Sequence, residues 1–146
     1  MEEAQMFKTI LVPIDFEQDG SWERALEAAF ALARANEADL HILHVIRSTP
    51  AMVAQYLPKD YARTAEAQTF ATLKEKVAGH GIGESEAKLL VRHGEVYPEI
   101  LDAAKDLGAD LIVLGAHRPE VTDFLLGTTA ARVARHAKCS VFLVRY

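Results

Sequence analysis

Short apolar runs rich in β-branched residues recur along this chain, and the segments between them carry apolar positions at helical spacing. The first run is Phe7 to Ile14 (FKTILVPI), with Pro13 standing only near its end. Trp22, Ala25, Leu26, Ala29, Phe30, Leu32 and Ala33 then recur three or four apart, which predicts a helix from near Ser21 to about Asn36. Asp39 to Ile46 (DLHILHVI) predicts a second strand. From 59 to 79 the spacing is helical again, with Ala62, Ala65, Phe70, Leu73 and Val77 on one face and Gly79-His80-Gly81 closing the helix. Ala87 to Val91 belongs to a third strand ending at Gly94, and Pro98 to Leu107 is a third helix closed by Gly108. Ala109 to Leu114 is the fourth strand, Thr128 to about His136 the fourth helix, and Ser140 to Val144 (SVFLV) the fifth strand. The connection 48–58 (STPAMVAQYLP) is long for such a chain. It either folds over the end of the sheet as a lid or packs Met52, Val53 and Tyr56 against the sheet or a partner.

Alternation of apolar strands with helices implies a parallel sheet covered on both faces, in one α/β domain spanning 1–146. Ligands of such sheets bind beyond the carboxyl ends of the strands, where the winding direction reverses. With the first and fourth strands as neighbours at that reversal, their ends open onto one crevice. Pro13, Asp15 and Phe16 end the first strand, Val45 and Ile46 the second, and Gly115 the fourth.

The richest stretch runs from Leu111-Ile112-Val113-Leu114 through Gly115-Ala116-His117-Arg118-Pro119 to Gly127-Thr128-Thr129. Gly115 lets the backbone approach a ligand with no Cβ in the way. Gly127 does the same at a helix N-terminus, where unpaired N–H groups and the dipole attract anions. Thr128 or Thr129 either caps that helix or donates to a phosphate oxygen. Such a crevice suits a nucleotide: the Asp15 carboxylate for ribose hydroxyls, apolar side chains for the base, backbone N–H groups for phosphates. Blander readings stand beside these. Asp15 is otherwise a turn-capping residue, Gly115 and Gly127 ordinary turn glycines, and His117 a solvated loop histidine.

Composition narrows the field. A formal charge of −5 over 146 residues argues against a general nucleic-acid binder. The single Cys139 excludes an internal disulfide, fits a reducing compartment, and reads as an inert core residue beginning the last strand. His41 and His44, three apart on a strand, face opposite sides and form no metal pair, so no metal site is expected. The acidic opening MEEAQMFKTILVPID is unlike a signal peptide, and no apolar stretch approaches the ~20 residues of a membrane helix. A cytoplasmic location is the expectation. The chain shows no Gly-x-Ser-x-Gly elbow, Walker lysine or kinase signature, which argues against dedicated hydrolase or kinase chemistry.

The opening ILVPIDF, the strand ending LHVI, the Gly94 turn and the block LIVLGAHRPEVTDFLLGTTAARVARHAKCSVFLVRY together resemble the universal stress protein family. The resemblance covers essentially the whole chain. It is nearest to the small stand-alone bacterial members with a His-Arg-Pro loop, of the enterobacterial F and G types. It implies a flavodoxin-like or HUP-type (adenine nucleotide α-hydrolase-like) sheet of order 3-2-1-4-5 with helices on both faces. It also implies a homodimer through the last strand and binding of ATP, with Mg²⁺ as an accompanying cation, by a stress-response module rather than an enzyme. The family's nucleotide motif is Gly, two residues, Gly, nine residues, then Gly with Ser or Thr. Carried over, its first glycine is Gly115 and its last pair Gly127-Thr128, while Pro13, Asp15, Val45 and Leu114 take the adenine and ribose side. Arg118 stands where the middle glycine belongs, and eight residues rather than nine separate it from Gly127. Either the Arg118 guanidinium replaces lost N–H contacts with phosphate, or the site has lost its triphosphate and the chain is a dimeric interaction protein. At the expected dimer seam, Val141, Leu143 or their neighbours on the alternate face are covered by the partner.

Overall fold

Ten elements follow one another in the computed structural model, which describes residues 5–16, 22–116 and 127–145. They are β1 (Thr9–Pro13), α1 (Trp22–Asn36), β2 (Asp39–Arg47), α2 (Ala51–Ala54), α3 (Tyr61–Gly79), β3 (Lys88–Gly94), α4 (Val96–Leu107), β4 (Leu111–Gly115), α5 (Thr128–His136) and β5 (Ser140–Val144). The strands pair in parallel in the order β3-β2-β1-β4-β5, as the sequence pattern and resemblance imply.

Alternation along the strands builds two cores. Ile10, Val12, Leu40 and Ile42 turn to one face and pack with Ala25, Leu26 and Ala29 of α1 and with Leu73 and Val77 of α3. Leu11, Leu43, Val45, Ile112 and Leu114 turn to the other and meet Ile100 and Ala103 of α4 and Val133 of α5. Each fully buried aliphatic side chain contributes about 1.5–3 kcal/mol by leaving water. Burial on both faces is why the central strands read as unbroken apolar runs. At the amino end Asp110 ties β4 to β1. Its carboxylate accepts the N–H groups of Lys8 (2.8 Å) and Thr9 (3.1 Å), and its own N–H donates to the Thr9 carbonyl (3.0 Å).

Three expectations change. Of the face predicted on α3, only Leu73 and Val77 are buried, while Ala62 and Phe70 are exposed. A helix of 19 residues spans ~28 Å, more than the ~23 Å of the seven-residue edge strand β3 beside it. Its amino-terminal half finds no apolar surface. The 48–58 connection contains the single turn α2, and Met52 and Tyr56, 77% and 82% exposed, do not pack on the sheet. Cys139 precedes β5 rather than beginning it and is half-buried against the α4–α5 core, where desolvation raises its thiol pKa. Gly94 needs to be glycine: its φ is +143°, and a Cβ there would stand 2.9 Å from Glu99 Cγ.

His41 is 7% exposed on the α4 face, and its Nδ1 has no hydrogen-bond partner among the described residues. Desolvation, and then the Lys88 charge, lower its pKa from 6.5, with Asp39 opposing. The unfolded chain therefore takes up a proton that the folded chain resists. The histidine's contribution to stability is intact above pH 6.5 and is lost as pH falls through the lower folded value. We expect His41→Leu to flatten this acid limb and to match or exceed the parent at neutral pH, because an unpaired buried polar atom costs about 1–3 kcal/mol. Melting curves from about pH 7.5 to about pH 5 check this, and identical acid sensitivity in both proteins would refute it.

Candidate functional site

The sheet splits at its carboxyl end. Pairing of β1 with β2 continues to Pro13–Leu43, and that of β4 with β5 to Gly115–Val144, yet β1 and β4 pair only at Ile10–Leu111 and Leu11–Ile112. Backbone direction supplies the reason. Thr9 accepts from Asp110 of the β4 side, whereas Ile14 donates to Leu43 of β2. Odd-numbered residues of β1 thus turn their peptide groups toward β4, and even-numbered ones toward β2. Pro13 is odd, and its nitrogen has no hydrogen to give β4. The crevice opens where the winding reverses, with α1 and α3 on one face and α4 and α5 on the other.

One lip is the turn after β1. Asp15 lies there with its side chain 43% exposed, and Arg47 Nη2 at the end of β2 stands 3.7 Å from its Oδ2. Between exposed partners such a pair is worth about 0–1 kcal/mol. Pro13, Val45 and Leu114 share the α4–α5 side of the sheet and give the cleft an apolar floor.

The other lip is the run from Gly115 into α5. Ala116 is fully buried; its N–H donates to the Val144 carbonyl (2.9 Å), and its carbonyl accepts the Gly127 N–H (3.0 Å). Gly127 is the N-cap of α5, so neither Thr128 nor Thr129 caps the helix; both lie in its first turn. The first helical bond runs from Ala131 N–H to the Gly127 carbonyl, which leaves the N–H groups of Thr128, Thr129 and Ala130 at the open end. Gly127 has φ −61° and ψ 154°, a conformation any residue adopts. Among the described residues a Cβ there would meet only the Ala116 carbonyl oxygen, at 3.9 Å. The fold itself does not demand glycine; the missing Cβ keeps space clear in front of the helix end.

Eight of the ten expected site residues therefore gather around the split: Pro13, Asp15, Val45, Leu114, Gly115, Gly127, Thr128 and Thr129. His117 and Arg118 lie outside the described residues. Arg47 and His44 were not anticipated as part of the site. Arg47 is signalled only as a cation directly after the second apolar run, and His44 as a polar interruption of that run. His41 and His44 do face opposite sides of β2, in step with Leu43 and Ile42 respectively. A second concavity, lined by Phe30, Arg34, Glu37, Asp39, Glu86 and Lys88, lies at the amino end of the strands, away from this crevice. No helix among the described residues is long and apolar enough to cross a membrane.

The turn bearing Asp15, the strand ends with Pro13, Val45 and Leu114, and the amino end of α5 all lie at this carboxyl end of the sheet. The chain is 34% identical over 144 residues to universal stress protein G of Escherichia coli O157:H7, covering 96% of this chain and 100% of that protein. The structure of a universal stress protein, UspA, from Lactobacillus plantarum superposes with a TM-score of 0.70 at 28% identity, over 98% of this chain and 100% of that one. A universal stress protein crystallised in complex with cAMP shares the fold at a TM-score of 0.66 and 23% identity, over 94% and 97% of the two chains. The family described as the universal stress protein family matches residues 6–145. With the family match, the sequence identity and the shared fold in agreement, the chain belongs to the universal stress protein family.

Proposed function

We propose that this chain binds an adenine nucleotide, ATP, in the crevice between β1 and β4, and serves as a nucleotide-responsive stress or signalling module in the cytoplasm. The observation that carries this reading is the split sheet, with the Asp15 carboxylate on one lip and the open end of α5 on the other. Asp15 takes the ribose hydroxyls, Pro13, Val45 and Leu114 border the base, and Gly115, Gly127, Thr128 and Thr129 face the phosphates. His117 and Arg118 complete the phosphate side in this reading, and Mg²⁺ accompanies the phosphates. The cAMP complex of a relative supports an adenine nucleotide as the ligand class. The role is binding; any hydrolysis is slow and incidental.

A second reading keeps the fold and dimer without the nucleotide, and Arg118 in place of the motif's middle glycine is the feature that separates the two. Ligand released by heating freshly purified protein and identified by mass separates the two.

In calorimetric titrations, Asp15→Ala weakens ATP by about 1.5–3 kcal/mol, the worth of a charged hydrogen bond. Gly127→Val abolishes binding with the fold intact, since its Cβ has room in the free chain. Unchanged affinity in either variant overturns the placement. Arg118→Ala weakens ATP about ten- to a hundredfold, and ATP more than AMP, because the outer phosphates take the guanidinium. Tighter ATP binding by Arg118→Gly instead marks Arg118 as an obstruction.

The same reading makes the chain a homodimer through the edge strand β5. Val141 and Leu143 already lie against the chain's own α4–α5 core, whereas Phe142 on the alternate face is 45% exposed. Phe142→Asp should give a folded monomer by native mass measurement. A monomer from the unmodified chain defeats the dimer.

A further inference from the structure

We infer that His44 is a positioning residue of the nucleotide crevice: from β2 it grips the residues on either side of Asp15 and so fixes where that carboxylate stands. The inference rests on the nucleotide reading above and assigns it a group that touches no ligand.

His44 is 3% exposed, on the face of β2 that turns to α1. Its Nδ1 lies 2.9 Å from the carbonyl oxygen of Ile14. A carbonyl only accepts, so Nδ1 carries the hydrogen. The Phe16 ring stacks on the imidazole, with centroids 4.2 Å apart and planes inclined by 20°. Ile14 is held from its other peptide group as well, its N–H donating to the Leu43 carbonyl at 2.8 Å.

Two neighbouring residues of one strand thus secure the residue before Asp15, and one of them also secures the residue after it. This grip begins one residue beyond Pro13, where the chain leaves the sheet. The grip comes from β2, the strand β1 still pairs with here, because β1 has already parted from β4. A carboxylate meant to meet a ribose must be held to within about 0.5 Å, and locking its neighbours achieves this.

Two variants separate the donor from the ring. His44→Phe keeps a ring for Phe16 to stack on and loses the hydrogen bond; His44→Asn keeps an N–H donor near the Nδ1 position and loses the ring. Backbone amide exchange in the nucleotide-free protein reads the turn directly, and ATP titration reads the site. We expect His44→Phe to speed exchange at Asp15 and Phe16 about three- to tenfold and to weaken ATP by a similar factor. His44→Asn, which also stands in should His44→Phe fail to fold, should recover most of both. The effect of His44→Phe on ATP should shrink in an Asp15→Asn background, as coupled residues require.

Unchanged exchange at Asp15 and Phe16 in His44→Phe overturns the proposal. So does an equal loss of affinity in both backgrounds, which would mark a histidine that only supports the fold. If the unmodified chain binds no ATP, the nucleotide reading falls, and the exchange rates alone decide whether His44 holds the turn.

Discussion

A parallel sheet wound in both directions must change hands at one pair of strands, and here the pair is β1 and β4. Asp110 closes that seam at the amino end with three short hydrogen bonds, and Pro13 opens it at the carboxyl end by having no hydrogen to donate. One seam is therefore tight at its base and parted at its rim. On that rim stand the turn bearing Asp15 on one side and the amino end of α5 on the other. A continuous β1–β4 ladder would bring both lips together and leave the helix end facing a closed edge.

How much of this was legible in the sequence follows from burial. Strands covered on both faces, such as Thr9–Pro13 and Leu111–Gly115, announce themselves because their buried positions are filled with aliphatic residues. The edge helix α3 misleads for the converse reason. Ala62, Ala65 and Phe70 keep helical spacing, but spacing states which residues share a face and not whether anything lies opposite. The glycines and the acid at strand ends are legible as positions near the split, since where a strand ends is a local property of the sequence. Of the two roles open to Thr128 and Thr129, capping falls away because Gly127, bonded to Ala116, takes the N-cap of α5.

His41 and His44 show why buried polar residues resist reading from sequence. They have one chemistry, one strand and nearly one degree of burial. Three residues of separation put them on opposite faces, and their circumstances diverge. His44 meets the carbonyl of a turn, while the Nδ1 of His41 has no hydrogen-bond partner among the described residues. One is bonded to the turn before Asp15; the other has its pKa lowered by desolvation. Nothing in the string LHILHVI distinguishes them, because the deciding partners come from elsewhere in the chain.

The bonds around Ala116 form a short mechanical linkage. The Gly127 N–H is tied to the Ala116 carbonyl, and the Ala116 N–H is tied to Val144 in the outermost strand. Only one stiff peptide-linked residue, itself sealed in the core, stands between the amino end of α5 and the margin of the sheet. Hydrogen bonds of this length transmit small displacements rather than absorbing them, and close packing around Ala116 leaves little slack. The amino end of α5 is thus bonded, through one buried residue, to the outermost strand, so the lip of the crevice and the margin of the sheet are joined by a single short path.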